Sequence, residues 1–289
     1  MSGAPFLVLG ATGKTGRRVA RRLAEGGRAV RAASRSGEQR FDWWDEETWV
    51  AAVDGVESVY VVDEQGPQAA SLLADFTRLA VGRGVRRFVL LSARTLEQWT
   101  HDTSMFGAER AVRESGVGWT ILRPCWFAQN FTEEPLFSDE VSRGRLVLPD
   151  WAGPEPFVDA DDIADVAVAA LTQDGHEGEV YSLSGPRLMT FGDCVREIEQ
   201  ASGRAIERVP ATREEYTAHL VRRGYAPDFA DFVYEILDTI REGRTAYLSD
   251  GVQRALGREP RDFSRYVAQT VWSAPAGSAG VTGRPVDAR

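Results

Sequence analysis

Residues 10 to 16, GATGKTG, set three glycines and a lysine directly after the apolar run Phe6-Leu7-Val8-Leu9. Glycines at this spacing, between a strand and a helix, answer three separate steric demands. Gly10 admits the tight turn, Gly13 lets the main chain approach a pyrophosphate, and Gly16 lets the next helix close onto the strand. The start of that helix offers unpaired N–H groups and the positive end of its dipole to the phosphates. Thr12, Lys14 and Thr15 complete the candidate phosphate contacts, Lys14 as a compact positive charge. Lys14 is also the only lysine among the 34 lysines and arginines of the chain.

The end of the second strand selects between two dinucleotides. A site for NAD places Asp or Glu there, to accept bonds from the ribose 2′-hydroxyl. Here Ala33-Ser34-Arg35-Ser36 carries no carboxylate. Arg35 has the planar fork that pairs with a 2′-phosphate and lies against adenine, while Ser34 and Ser36 add hydroxyl donors. The pattern predicts NADP(H), with Arg35 as a ligand in preference to a solvated surface arginine.

The elements that must hold these residues are legible as short apolar runs alternating with amphipathic helical stretches, the pattern of a parallel sheet wrapped by helices. Strands are predicted at 6–9, 30–34, around Phe41, and at 58–62, 88–91 and 119–122; helices at 15–25, 48–53, 67–83 and about 106–115. After Asn130 the pattern turns irregular, with strands at 145–148 and 180–183 and helices at 156–171, 191–202 and 213–223. The expected fold is α/β: a doubly wound Rossmann parallel sheet with a small, partly interleaved C-terminal substrate domain. Residues 1–131 form the dinucleotide domain, with 156–184 returning to it; 132–155 and 185–272 form the substrate domain, and 273–289 a disordered tail.

Composition limits the partners. A chain of 289 residues that is 43% hydrophobic and 27% charged is an ordinary soluble protein. Its net charge of −9 argues against sequence-independent nucleic-acid binding and against attraction to anionic membranes. No apolar stretch approaches the ~20 residues of a membrane helix. Cys125 and Cys194 lie far apart and are read as reduced core residues of a cytoplasmic protein. Neither His176 nor His219 has a partner at metal spacing, so no metal is expected. Asp159, Asp161 and Asp162 are read as a helix start and as structure between the domains.

GATGKTG, FDWWDEETW, FVLLSA, ESGVGWTILRPCWFAQNF and PFVDADDIADVAVAAL, in this order over residues 5 to 268, resemble the NmrA-like, atypical branch of the short-chain dehydrogenase/reductases. SRSGEQRFDWWDEETW followed by CWFAQNF is similar, more particularly, to the subgroup holding bacterial relatives of the ergot-alkaloid agroclavine dehydrogenase. The resemblance implies Asp42 near the adenine amine, Val61 and Val62 beside the nicotinamide ribose, and Ser92 at the active-site serine position. It also implies that residues 123–131, with Trp126, Phe127, Asn130 and Phe131, line the mouth between cofactor and substrate domain. Most active members of the wider superfamily carry Tyr-x-x-x-Lys, in which the lysine lowers the tyrosine pKa for proton transfer to a carbonyl. HDTSMFGAE, residues 101–109, fits that frame with His101 at the tyrosine position and Met105 at the lysine position, and Glu109 marks the register. With Lys14 in the phosphate loop, no second lysine exists for the dyad.

Chemistry without the dyad requires a substrate that is already a strong electrophile: an iminium ion, an activated quinone or an enone. His101 is a candidate general acid, since its unperturbed pKa lies near neutrality, against the alternative of a helix-surface histidine without a role. Ser92 and Asp102 are weaker candidates for orienting a substrate oxygen. Trp126, Phe127 and Phe131, with Trp99 and Trp151, suggest a flat hydrophobic ligand, or else a seam between domains. The leading expectation is an NADPH-dependent reductase of a bulky aromatic or alkaloid-like metabolite. Two other uses of the fold stand beside it: a redox-neutral isomerase or cyclase, and a regulator that senses NADP without turnover.

Overall fold

The computed structural model describes residues 3–64, 66–98, 104–149 and 153–272. The chain divides into two compact units, and the division is not contiguous: the first takes the chain up to Phe127 together with Val158–Ser184 and Ser249–Arg261.

In the first unit a seven-stranded sheet runs β3-β2-β1-β4-β5-β6-β9, every pairing parallel. Its strands are β1 (Phe6–Leu9), β2 (Val30–Ser34), β3 (Gln39–Arg40), β4 (Ser58–Val62), β5 (Arg87–Leu91), β6 (Gly118–Pro124) and β9 (Glu179–Leu183). Side chains alternate across a strand, and this sheet buries both faces. Leu7, Leu9, Val59, Val61, Phe88 and Leu90 point to one side. There they meet Trp49, Phe76 and Ala108 of α2 (Glu47–Val53), α3 (Ala69–Gly82) and α4 (Ser104–Arg113). Val8, Tyr60, Val89 and Leu122 point to the other side, against Val19, Ile163 and Val252 of α1 (Gly16–Glu25), α7 (Ala160–Thr172) and α11 (Gly251–Leu256). The third strand falls one step earlier than the apolar signal suggested: Phe41 follows it and is buried against Trp43, Trp49 and Phe76.

The acidic opening of α7, read as a helix start and as structure between the domains, has Asp161 and Asp162 bonded to arginines of this same unit. Asp159 caps the helix by accepting from the Asp161 N–H at 2.8 Å. Asp161 accepts from Arg18 Nε at 3.1 Å and Arg22 Nη2 at 2.8 Å, tying α7 to α1. Asp162, fully buried, accepts from the Arg261 main-chain N–H at 2.6 Å and Arg258 Nη2 at 2.7 Å. Burial pushes the Asp161 and Asp165 carboxyls up, but the bonds and charges of Arg22 and Arg261 outweigh it and hold both below the ordinary Asp range.

The second unit takes Ala128–Phe157, Gly185–Leu248 and, among the described residues, 262–272. The segment after Asn130, irregular by sequence, forms two short helices, α5 (Asn130–Glu133) and α6 (Pro135–Ser142), the second started by Pro135 at its first turn. Two small sheets follow: β7 (Arg145–Leu148) lies parallel to β11 (Glu207–Pro210), and β8 (Pro154–Glu155) antiparallel to β10 (Met189–Thr190). Reciprocal side-chain caps at Thr190/Asp193 and Thr212/Glu215 start α8 (Phe191–Ser202) and α9 (Arg213–Arg222). Two further helices, α10 (Pro227–Arg241) and α12 (Phe263–Gln269), went unassigned by sequence pattern. The core here is aromatic: Phe131 packs with Phe137, Phe157, Phe191 and Phe263 at centroid distances of 5.7 to 6.5 Å. No described helix is long and apolar enough to cross a membrane.

Candidate cofactor and active site

Strand order reverses at β1, between β2 and β4, and in open α/β sheets ligands bind beyond the carboxyl ends of the strands at that point. The glycine loop stands there. Gly10 has φ of +64°, a left-handed conformation that favours glycine. Its carbonyl accepts from the Gly13 N–H at 2.9 Å, and the Ala11 N–H ties the loop to the end of β2 through the Ala33 carbonyl at 3.1 Å. A Cβ on Gly16 would lie 2.2 Å from the Gly10 oxygen, so helix and loop touch backbone to backbone. The start of α1 has no side-chain cap at Thr15 and no acid in its first turn. Arg18 donates from Nη1 to the Lys14 carbonyl at 2.8 Å while its Nε binds Asp161, so the Lys14 main chain is braced from α7. Thr15 is buried, and Thr12 and Gly13 are exposed.

Around the loop lie the other predicted cofactor residues. Ser34 is 7% exposed, and among the described residues its Oγ has no hydrogen-bond partner. Gly37 closes the turn with its N–H on the Ser34 carbonyl at 3.4 Å, and a Cβ there would come within 2.7 Å of that Oγ. Arg35 and Ser36 are exposed beside it. Asp42 is occupied in its own turn, accepting from the Trp44 N–H at 3.1 Å, while its carbonyl accepts from Trp49 Nε1 at 2.8 Å. Val61 is buried in the core. Val62 ends β4, its side chain against Gly10 and its carbonyl accepting from Trp43 Nε1 at 3.2 Å. A crowded glycine turn, an open helix start and an orphaned buried hydroxyl at the end of β2 fit a dinucleotide carrying phosphate on both sides of its adenosine ribose.

Ser92 follows β5 directly and is partly exposed, its N–H on the Leu122 carbonyl at 2.8 Å. Its hydroxyl donates to Glu109 Oε1 at 2.7 Å. Glu109, on α4 and 3% exposed, also receives the Arg123 fork at 2.8 and 2.7 Å, with Arg113 at 3.5 Å. Burial pushes this carboxyl up, but the bonds from Arg123 and Ser92 and the nearby arginine charges prevail and hold it below the usual range. Sequence reasoning used Glu109 only to mark a register and Arg123 only as lining. The one local hint of their pairing was the i,i+4 spacing of Glu109 and Arg113.

The predicted substrate residues are divided between the two units. Trp126 and Phe127 end a segment of the first unit, where the Trp126 carbonyl accepts from the Val158 N–H at 2.8 Å and Phe127 packs on the α1/α7 face. Asn130 opens α5 in the second unit. Phe131, expected in an aromatic pocket or a seam between domains, is 2% exposed and packs in the aromatic core of the second unit. His176 is buried, its Nδ1 2.8 Å from the Tyr181 hydroxyl, and His219 binds Glu140. His101, with Trp99, Asp102, Trp151 and the expected tail 273–289, lies outside the described residues.

A parallel sheet carrying such a loop at its switch point is a dinucleotide-binding fold of Rossmann type, and its relatives make the chain an NAD(P)H-dependent oxidoreductase. Residues 10–174 match the family model described as NAD(P)H-binding, and the chain belongs to that family. It is 34% identical over 284 residues to the agroclavine dehydrogenase of Claviceps fusiformis, covering 92% of this chain and 98% of that one. To the uncharacterized oxidoreductase YesF of Bacillus subtilis it is 32% identical over 273 residues, covering 91% and 94%. The structure of Citrobacter sp. triphenylmethane reductase complexed with NADP(H) aligns with a TM-score of 0.72 at 22% identity, over 92% of this chain and 100% of that one, a likeness of fold.

Proposed function

We propose that this protein is an NADPH-dependent reductase that delivers hydride to an activated electrophile (an iminium, a quinone or an enone) of a bulky aromatic or alkaloid-like small molecule. The observation that carries this reading is the single lysine. Lys14 belongs to the glycine loop, its carbonyl held by Arg18, so no lysine is left to sharpen a tyrosine as proton donor. A substrate that must be protonated to accept hydride is poorly served; one already electron-poor is not. Agroclavine and triphenylmethane in the names of two similar proteins are in line with a bulky, ring-bearing ligand.

Bound NADPH supplies the hydride. Gly10, Gly13, Gly16 and the start of α1 would hold its pyrophosphate, with Thr12, Lys14 and Thr15 around it. Arg35 would pair with the 2′-phosphate, and Ser34 and Ser36 would donate to it, which would set the preference for NADPH over NADH. Asp42 would stand near the adenine, and the end of β4 at Val61 and Val62 near the nicotinamide ribose. Trp126, Phe127 and Asn130 contact the substrate, for which the second unit is the binding domain. Where the substrate is a quinone or enone, His101 is the proton donor.

The test is consumption of NADPH, followed by its absorbance, with cyclic iminium salts, quinones, enones and plain ketones. Turnover is expected with the activated compounds, and NADH is expected to bind more weakly than NADPH. Comparable kcat/KM on an unactivated ketone, or equal affinity for the two nucleotides, overturns the reading.

A further inference from the structure

The direction of one hydroxyl separates the electrophiles named above. Glu109 is buried and clasped by both arms of Arg123, with Arg113 behind it, and a carboxylate so held is ionised and only accepts. The one hydrogen available between Ser92 Oγ and Glu109 Oε1, 2.7 Å apart, is therefore the hydroxyl's own. Ser92 is thus committed as a donor toward the protein interior, and its exposed side presents lone pairs. We propose that Glu109, acting through Ser92, is a positioning residue that tunes the site toward cationic electrophiles such as iminium ions and away from neutral carbonyl acceptors. This rests on the reading of Ser92 as a residue facing the substrate.

The chemistry follows from which charge develops where. When hydride adds to an iminium carbon, the C=N π pair becomes the amine lone pair, NADPH is left as NADP⁺, and no proton moves. Positive charge on the substrate is lost in the step, and before it the cation is met by an oxygen lone pair already polarised by a carboxylate. With a quinone or enone the same hydride generates an oxyanion, which needs a donor within reach. Ser92 cannot be that donor without breaking its bond to Glu109. The preference arises from bond direction and not from net charge. The Arg123 guanidinium is engaged on Glu109, and Arg113 also lies over the Trp119 ring at 4.6 Å.

The experiment measures kcat/KM with NADPH for an N-alkyl iminium salt and a quinone of similar size, in the wild type and in Ser92→Ala, Ser92→Thr and Glu109→Gln. The iminium-to-quinone ratio is expected to fall roughly tenfold or more in Ser92→Ala, the order of one hydrogen bond to a charged group. It is expected to be retained in Ser92→Thr. In Glu109→Gln, whose carboxamide can donate to the serine and turn its hydrogen outward, the ratio is expected to shift the same way. Ser92→Ala leaves the Glu109–Arg123 fork in place, so the question stays open to test if Glu109→Gln fails to fold. Equal losses on both substrates would mean a bracing role alone and overturn the inference while leaving the reductase reading standing. A wild type that reduces neither substrate overturns both.

Discussion

Substituting Gly16 by alanine tests the cofactor loop where its geometry is least forgiving. The added Cβ would sit 2.2 Å from the Gly10 oxygen, 2.7 Å from the Gly10 carbonyl carbon and 3.1 Å from the Ala11 Cα. All three are main-chain atoms, so no rotamer change relieves the overlap. Restoring van der Waals contact requires loop and helix to part by roughly an ångström. The helix resists: Val19 and Leu23 are fully buried, and Arg18 and Arg22 are tied to Asp161. The loop must move instead, carrying the Gly10 carbonyl away from the Gly13 N–H. A misplacement of about 1 Å in positioning groups costs on the order of 10²-fold, or about 2.7 kcal/mol. We therefore expect the Kd for NADPH, read by quenching of protein fluorescence, to rise about a hundredfold. Overpacking should in addition cost about 1–3 kcal/mol of stability, read by thermal melting. Gly82→Ala, at the end of α3 with nothing within 4 Å of its added Cβ, is the control and should change neither. A Gly16→Ala protein that binds NADPH within about threefold of the wild type would refute the assignment of the loop to the pyrophosphate.

Arg35→Ala should raise the Kd for NADPH by roughly ten- to a hundredfold, the worth of charge-assisted bonds to a phosphate, with little change for NADH. A parallel loss for both nucleotides would show that Arg35 acts on the fold and not on the 2′-phosphate. Phe131→Ala should destabilise the protein by about 3–5 kcal/mol in thermal or urea unfolding, the cost of emptying a buried aromatic site; a stable variant with altered substrate KM would return Phe131 to the pocket wall. Asp161 and Asp165 have folded pKa values below their unfolded values near 4. Their contribution is complete above about pH 4 and is lost as pH falls through the folded values, so Asp161→Asn should reduce the acid-side slope of Tm against pH. An unchanged slope would remove Asp161 from the stabilising network.

Much of the sheet unit was readable because its signals are local. A buried parallel strand is a continuous apolar run, and the glycine loop needs its residues at fixed offsets from the strand before it. Failures arose where an element was too short for its period to show, as with β3, where Gln39 and Arg40 offer no apolar signal. The two-turn α6 is similar, recognisable only by Pro135. The long helix α10 failed for another reason: Phe229 and Phe232 are exposed while Ala230, Val233 and Leu237 are buried, so its apolar residues do not mark one face. The Ser92–Glu109–Arg123 cluster was invisible because its members sit on two strand ends and a helix. Only the parallel pairing of β5 with β6, which sets Leu91 opposite Leu122, brings Ser92 and Arg123 together.

The non-contiguous first unit sets a timetable for the chain's birth. When Phe127 leaves the ribosome, six strands of the sheet exist, but α7, β9 and α11 do not. The face carrying Val8, Tyr60, Val89 and Leu122 is then covered by α1 alone, a broad apolar surface open to other nascent chains. It is sealed only after synthesis reaches about Arg261, and until α7 is made the Lys14 main chain also lacks its brace. Chains terminated between Phe127 and about Arg261 should therefore be aggregation-prone and not merely inactive, however complete their glycine loop.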